Sequence, residues 1–219
     1  NLGVALREIG KRVIVVDLNL TSSHLGIHFG LFYFPKTIND LLYGRCDILS
    51  ATYRHPSGVH LLPASIDNFK EVEIAQRSLS KIFRNLKKSY DFIIVDSPPG
   101  FGSVTTLLVK NADRILVVTN PDPSSLMDAK KLCEICHKLK KKHVDVIVNR
   151  VNFSGKELKI EEIESALGQR AIGVIPEDKI FKESLFFKEP VVSFKPKHWI
   201  SYILKRIASK IAKAETPQI

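Results

Sequence analysis

Polar side chains stand where several apolar runs of this sequence end. Asp17 and Asn19 follow the run RVIVV, Asp96 follows DFIIV, and Asn149 with Arg150 follows DVIV. One such residue would be ordinary turn chemistry, because Asp, Asn and Pro are common turn formers. Their repetition after successive apolar runs is better explained by a polar, ligand-binding site at one edge of a sheet.

Six runs rich in Val and Ile are the predicted strands that position these residues: RVIVVDL, GVHLLPA, DFIIVDS, RILVVTN, HVDVIVNR and AIGVIP. Their continuous apolar character favours strands covered on both faces, as in a parallel sheet. Helical periodicity lies between them, near residues 70–88, 102–110, 123–141 and 157–167. We therefore expect an α/β fold with a doubly wound, mostly parallel sheet and helices on both faces, where ligands collect at the carboxyl ends of the strands.

Bulk properties set wider limits. The chain has 219 residues, 44% of them hydrophobic, and no linker-like segment, which predicts a single domain over 1–219. It contains no apolar run of 18 residues and no signal peptide at its first residues, so we expect a cytoplasmic protein that does not span a membrane. The net charge of +10 favours an anionic partner such as a nucleotide, nucleic acid or lipid headgroup.

Cys133 and Cys136 form a C-x-x-C pair within the amphipathic run LMDAKKLCEICHKLKKK. On a helix the two thiols share a face and could supply half of a zinc or iron–sulfur site. The alternative is that both are buried core thiols, since Cys packs as a small hydrophobic residue. The absence of a second C-x-x-C and the core-like spacing favour the second interpretation.

Taken together, these motifs resemble the MinD/ParA family of deviant-Walker P-loop ATPases. NLGVALREIGKRVIVVD looks like the first helix and second strand of that family, and DFIIVDSPPG looks like its Walker B strand and second switch. VTNPDPSSLMDA resembles the next strand and loop, and GVIPED resembles the adenine-side loop. The resemblance runs from Asn1 to about Ala212 and implies the MinD type of P-loop NTPase fold with ATP and Mg²⁺ as cofactors.

The resemblance also implies a first strand and a Gly-rich Walker A loop directly before the helix that begins NLGVAL. About 15 to 20 residues would form them. We therefore expect the chain to be N-terminally truncated and, lacking the P-loop, to bind ATP weakly or not at all. The ATPase activity is expected of the intact parent.

By resemblance, Asp96 is the Walker B carboxylate that holds Mg²⁺ through water. Ser97, Pro98, Pro99 and Gly100 are then the second switch, with Gly100 giving it backbone freedom. Asp17 and Asn19 occupy the first switch, which is commonly Asp-x-Asp. An amide can orient water but cannot accept its proton, so hydrolysis is expected to be slower or to depend on Asp17.

The resemblance assigns the contacts with the nucleotide base to a second group of residues. Asn149 matches the asparagine that contacts adenine, and Arg150 is expected beside the base. Pro176, Glu177 and Asp178 match the loop on its other side.

The resemblance implies a nucleotide-dependent dimer switch that positions a division site, flagellum or chromosome. Its expected partners are a second copy in an ATP-dependent homodimer, an activator protein, and an anionic membrane surface or non-specific DNA. The alternative is a non-catalytic protein of the same fold whose basic surface binds DNA or anionic lipid. The basic amphipathic stretch KPKHWISYILKRIASKIAKA could be a membrane tail, but its place favours the last packed helix of the domain.

Overall fold

The computed structural model describes residues 1–20, 22–65, 76–153 and 155–214. Contacts divide the chain into two units. The first comprises Asn1–Pro99 and Ile180–Lys197, and the second comprises Gly100–Lys179 and His198–Ile219.

The first unit is built on a four-stranded sheet in the order β2-β3-β1-β4. Strand β1 pairs in parallel with β3 on one side and β4 on the other, and β2 is antiparallel at the edge. All five residues of β1 are buried, which explains why its sequence is continuously apolar up to its terminal Asp. The strands and helices of this unit are β1 Val13–Asp17, β2 Tyr53–Arg54, β3 His60–Leu62, β4 Phe92–Asp96, α1 Leu2–Glu8, α2 Leu25–His28, α3 Ile38–Leu42, α4 Gln76–Leu86, α8 Ile180–Phe187 and α9 Val191–Phe194.

The second unit has a three-stranded parallel sheet in the order β5-β6-β7. Its core joins residues of these strands to the inner faces of α6 and α7. The elements of this unit are β5 Ile115–Thr119, β6 Val144–Val151, β7 Ala171–Pro176, α5 Ser103–Asn111, α6 Pro123–Lys138, α7 Ile160–Leu167 and α10 Trp199–Lys213.

All six strands predicted from apolar runs are present, and they are divided between the two hydrogen-bonded sheets. The predicted helices are also present, except that residues 70–75 of the first lie outside the described part of the chain. Gly10 follows the first helix with φ +86°, a conformation that glycine adopts without cost. The sequence did not predict β2 or the short helices α2, α3, α8 and α9, because segments of two to eight residues carry too little periodicity.

Helix α10 is a packed helix, as its place in the sequence favoured. Ile200, Leu204, Ile207 and Ile211 are buried, and the helix lies against β7. The approach is close at Gly173, where an added Cβ would overlap Cδ1 of Ile207. No helix within the described ranges is both long and apolar enough to cross a membrane.

The two cysteines of the C-x-x-C pair occupy core positions, as the spacing indicated. Cys136 is buried in the core of the second unit, and Cys133 packs against it from the same helix. Burial raises the pKa of both thiols, which keeps them protonated at neutral pH.

Replacement of Gly173 by Ala is expected to destabilise the protein, because the new methyl group overlaps the Ile207 side chain. We expect a loss of about 1–3 kcal/mol in the free energy of unfolding, measured by urea denaturation. The double variant G173A/I207A is the control. Its loss should be smaller than the sum of the two single losses, and strict additivity would contradict this packing.

Candidate functional site

Two carboxylates lie side by side at the carboxyl end of the first sheet. Strands β1 and β4 pair in register over their whole length, which sets Asp17 opposite Asp96. The pairing continues one residue further, because the Leu18 N–H donates to the Asp96 carbonyl oxygen at 2.9 Å. The backbone pairing of the sheet therefore fixes how far apart the two side chains are.

Asp17 is fully buried and is held by hydrogen bonds from the loop that follows it. Its Oδ1 accepts from the Asn19 backbone N–H at 2.9 Å, and its Oδ2 accepts from Ser23 Oγ at 2.7 Å. Burial raises the pKa of the Asp17 carboxyl, and these hydrogen bonds oppose the rise. Asp17 thereby fixes the conformation of the loop that carries Asn19.

Asp96 has a different environment. Its side chain is exposed and makes no hydrogen bond to any residue in the described part of the chain. Its pKa is raised, first because neighbouring protein removes part of its hydration and second because the Asp17 carboxylate repels its charge. Two crowded carboxylates with one unbonded, outward-facing group fit a hard cation such as Mg²⁺, which takes one or two carboxylates and completes its shell with water and phosphate oxygens.

The segment after Asp96 leaves the sheet as an open loop. Ser97 and Pro99 are exposed and Pro98 is half-buried. Gly100, the first residue of the second unit, has φ +85° with open space where a side chain would be. Glycine adopts this left-handed backbone without strain, whereas a residue with a side chain would be strained there.

The second unit brings together Arg150, Glu177 and the ends of β6 and β7. The Glu177 N–H donates to the Val151 carbonyl oxygen at 3.0 Å, and Arg150 Nε lies 3.8 Å from Glu177 Oε2. Both side chains are exposed, so this ion pair contributes little to stability. Arg150 has φ +56°, a left-handed conformation that is uncommon outside glycine.

Asn149 is half-buried on β6, and its side-chain amide makes no hydrogen bond to another described residue. Such an amide can donate to and accept from the edge of a base at once. Pro176 is the last residue of β7, is buried and pairs with Val151, and Asp178 follows in the loop before α8.

The polar segment that follows β5 has a structural role. In the Asn120–Pro123 segment, the Asp122 carboxylate caps α6 by accepting from the Ser125 N–H at 2.9 Å. This bond lowers the pKa of Asp122, as is typical of an N-cap.

Sequence reasoning missed Ser23 and His24. Ser23 is buried and bonded to Asp17, while the charge of His24 lowers the pKa of both Asp17 and Asp96. The sequence gives little signal for either, because they lie in a loop before a four-residue helix.

Comparison with known proteins identifies relatives along the whole chain. A family model described as an AAA domain matches residues 1–151. An uncharacterized ATP-binding protein of Methanocaldococcus jannaschii is 34% identical over 98% of this chain and 81% of its own length. The septum site-determining protein MinD of Bacillus subtilis is 27% identical over 99% of this chain and 84% of its own. The antiactivator FleN of Pseudomonas aeruginosa is 26% identical over 96% and 79%.

Solved structures show the same similarity. The cell division ATPase MinD of Pyrococcus furiosus superposes with a TM-score of 0.89 at 28% identity, covering 97% of this chain and 90% of that one. MinD of Pyrococcus horikoshii in complex with Mg-ADP gives 0.88 at 28% identity, covering 97% and 88%. MinD in the MinC:MinD complex of Aquifex aeolicus gives 0.86 at 29% identity, covering 100% and 90%.

These matches confirm the fold class predicted from the strand pattern, and they agree with two carboxylates at the ends of adjacent parallel strands. The chain belongs to the MinD/ParA family of P-loop ATPases, whose cofactors are ATP and Mg²⁺.

Proposed function

We propose that this protein is a nucleotide-dependent dimer switch, an ATPase of the MinD/ParA type that positions a cellular structure. Its similarity to a septum site-determining protein supports a role in spatial positioning. The observation that carries the proposal is the in-register pair Asp17 and Asp96. Their carboxylates repel each other, and a cation bound beside them would relieve that repulsion.

We assign the Mg²⁺ contact, through water, to Asp96. Bound Mg²⁺ would neutralise charge on the phosphates of ATP. Asp96 suits this contact because its carboxylate is exposed and unbonded among the described residues, whereas Asp17 already accepts hydrogen bonds from its own loop. Ser97, Pro98, Pro99 and Gly100 would then form the second switch, whose conformation responds to the state of the phosphate.

Hydrolysis in this proposal depends on Asp17 and Asn19. The bond from the Asn19 N–H to Asp17 Oδ1 fixes the backbone from which the Asn19 amide orients the attacking water. Because the amide cannot take the proton, we expect turnover slower than in family members with a second carboxylate at this position.

Asn149 is proposed to contact the adenine, with Arg150 beside the base and Pro176, Glu177 and Asp178 forming the loop on its other side. The half-buried, unbonded amide of Asn149 supports this assignment. The contact between Arg150 and Glu177 would hold the ends of β6 and β7 around the base.

Phosphate binding is expected to be weak in these 219 residues. They contain no G-x-x-x-x-G-K-[ST] pattern, and Gly100, Gly102 and Gly155 are not spaced to replace it. A P-loop supplies backbone N–H groups, a Lys charge and a hydroxyl for Mg²⁺, so its contribution to affinity is large.

The proposed partners are a second copy in an ATP-dependent homodimer, an activator protein, and an anionic surface. The MinC:MinD complex of Aquifex aeolicus supports binding to a partner protein. The net charge of +10 supports an anionic surface, for which membrane lipid and non-specific DNA are the two candidates. The protein would then be peripheral to the membrane in one of its nucleotide states.

ATP·Mg²⁺ affinity, measured by calorimetry on this chain and on a fusion that places a strand and a G-x-x-x-x-G-K-[ST] loop before Asn1, tests the proposal. We expect the fusion to bind at least tenfold more tightly, because its loop supplies backbone N–H groups and a Lys charge to the phosphates. In the protein that binds, Asn149→Ala should weaken affinity by about tenfold, the equivalent of one or two hydrogen bonds. The control Asn85→Ala, an exposed residue of α4, should leave it unchanged. Failure of both proteins to bind would favour the non-catalytic alternative.

The raised pKa of Asp96, caused first by lost hydration and second by the Asp17 charge, predicts an effect on stability that does not require a nucleotide. Because the folded-state pKa of Asp96 is raised, its favourable contribution is present below the unfolded pKa of about 3.9 and is lost as the pH rises through the folded value. At pH 7, Asp96→Asn should therefore raise the free energy of unfolding, by less than about 1 kcal/mol for so exposed a group. Urea denaturation should show the gain shrinking as the pH falls towards the unfolded pKa.

Asp91, just before the other end of β4, is the control of opposite sign. Arg12 binds its carboxylate and lowers the pKa of Asp91 to about 2, so its stabilising contribution is present at neutral pH and is lost as the pH falls through that value. Asp91→Asn should therefore destabilise the protein at pH 7. If Asp96→Asn destabilises it as well, folding does not raise the pKa of Asp96.

A further inference from the structure

The chain leaves strand β6 in an unusual backbone conformation. Phe153, two residues after the end of the strand, has φ +55°, and Arg150 within the strand has φ +56°. Residues with a side chain seldom adopt this left-handed region, because it has an energetic cost for them. The surrounding structure must therefore hold Phe153 in place.

Glu157 holds the backbone of Phe153. Its Oε1 accepts from the Phe153 N–H at 2.6 Å, and both of its carboxylate oxygens accept from the Asn152 N–H at 3.1 Å. Hydrogen bonds to a charged carboxylate are stronger than those to a neutral acceptor. Leu158, the next residue, packs against the core of the second unit, and its N–H donates to the Pro121 carbonyl oxygen at 3.0 Å. Phe153 is thereby tied to the carboxyl ends of β5 and β6.

The side chain that this backbone carries is open to solvent. Phe153 is 72% exposed, and its ring contacts no other ring and no cation within the described ranges. Single exposed apolar residues are common and need no explanation by themselves. A left-handed backbone held by a dedicated carboxylate is not needed to leave a ring in water, however, so we looked for a ligand of this ring.

The groups near Phe153 indicate the class of ligand. The Val151 carbonyl oxygen, which accepts from the Glu177 N–H, lies only two residues before Phe153, a span of at most about 7 Å along the chain. The unbonded amide of Asn149 and the exposed guanidinium of Arg150 belong to the same strand end. A nucleobase uses both kinds of group, because its edge hydrogen-bonds to an amide and its face stacks on an aromatic ring.

The size of the apolar surface also favours a base over a protein partner. From the start of β6 to the end of β7, Phe153 is the one large hydrophobic residue that is exposed among those the structure describes. If a fully exposed Phe side chain presents about 200 Å², this one presents on the order of 150 Å². A standard protein interface buries roughly 800 Å² on each side, of which somewhat more than half, or about 450 Å², is apolar. One ring falls well short of that area but suffices to cover one base.

We propose that Phe153 stacks on the base of the bound nucleotide and that Glu157 is the residue that positions it. This inference rests on the proposed function, because the base is the one assigned there to Asn149 and Arg150, and it adds a contact with the face of the base. Every base has a face of this kind. Phe153 therefore contributes affinity without selectivity, and the choice of adenine is left to the hydrogen bonds at its edge.

Adenosine is the probe that tests this contact on the present chain, because it has a base but no phosphate. Saturation-transfer NMR, which detects weak binding, should show contact at the adenine H2 and H8 protons. Phe153→Ser should lower the affinity for adenosine at least fivefold, since stacking supplies much of the affinity of a base for an aromatic ring. F153W should retain the affinity. In a W199F background, which removes the one native tryptophan, adenosine should quench the emission of F153W.

Glu157 is tested as a positioning residue by two further variants. E157A leaves Phe153 unaltered but releases the two N–H groups, so it should also lower the affinity for adenosine at least fivefold. E157Q should restore most of that affinity, because the amide oxygen of glutamine can accept from both N–H groups as Oε1 of Glu157 does. Unchanged affinity in E157A, or equal losses in E157A and E157Q, would overturn the positioning role.

Tyr202→Ser is the matched control, because Tyr202 is an aromatic residue of the same unit that is 55% exposed on α10. It should bind adenosine as the unaltered protein does. Absence of adenosine binding, or full binding by Phe153→Ser, would overturn the stacking proposal. If Asn149→Ala still weakens ATP·Mg²⁺ binding in that case, the proposed function stands and only the role of Phe153 is wrong. Adenosine binding that depends on Phe153, in a protein that fails to bind ATP·Mg²⁺ even as the fusion, would instead keep the stacking contact and refute the ATPase proposal.

Discussion

The register between β1 and β4 is the constraint on which the candidate cation site depends. It sets two carboxylates opposite each other at the end of adjacent strands, where their charges repel. The opposing force is larger: β1 buries Val13, Ile14, Val15 and Val16, and each such side chain contributes about 1.5–3 kcal/mol when removed from water. The apolar strand therefore keeps the carboxylates together at a modest cost in stability, and a bound cation would remove that cost.

The two carboxylates have different roles, because only Asp17 accepts hydrogen bonds from the described part of its own loop. Asp17 is buried and orders its own loop through Asn19 and Ser23, so it acts as part of the framework. Asp96 is an exposed residue, and its carboxylate makes no hydrogen bond to another described residue. The second unit also combines a framework residue with an unbonded polar group. Pro176 ends strand β7, and the side-chain amide of Asn149 makes no hydrogen bond to another described residue.

The sequence predicts the buried strands well, because a strand covered on both faces must be apolar throughout, as β1 is. It also places Asp17 and Asp96 at strand ends, although their register could come only from the structure. Helix α8 was missed because eight residues give little periodicity and its exposed Phe186 and Phe187 break the expected pattern of apolar residues inside. Ser23 could not be predicted, since its bond to Asp17 depends on how an irregular loop folds back.

The central claim is that the metal of the metal–nucleotide complex binds beside Asp96. Paramagnetic broadening by Mn²⁺·ATP, followed by NMR on the amide signals of this chain, tests it most directly, because broadening is detectable even when binding is weak. The account predicts that the signals of Leu18 and Ser97, next to the two carboxylates, broaden first, and that Asp96→Asn abolishes the effect. Equal broadening in Asp96→Asn, or broadening that spares Leu18 and Ser97 while other signals disappear, would contradict it.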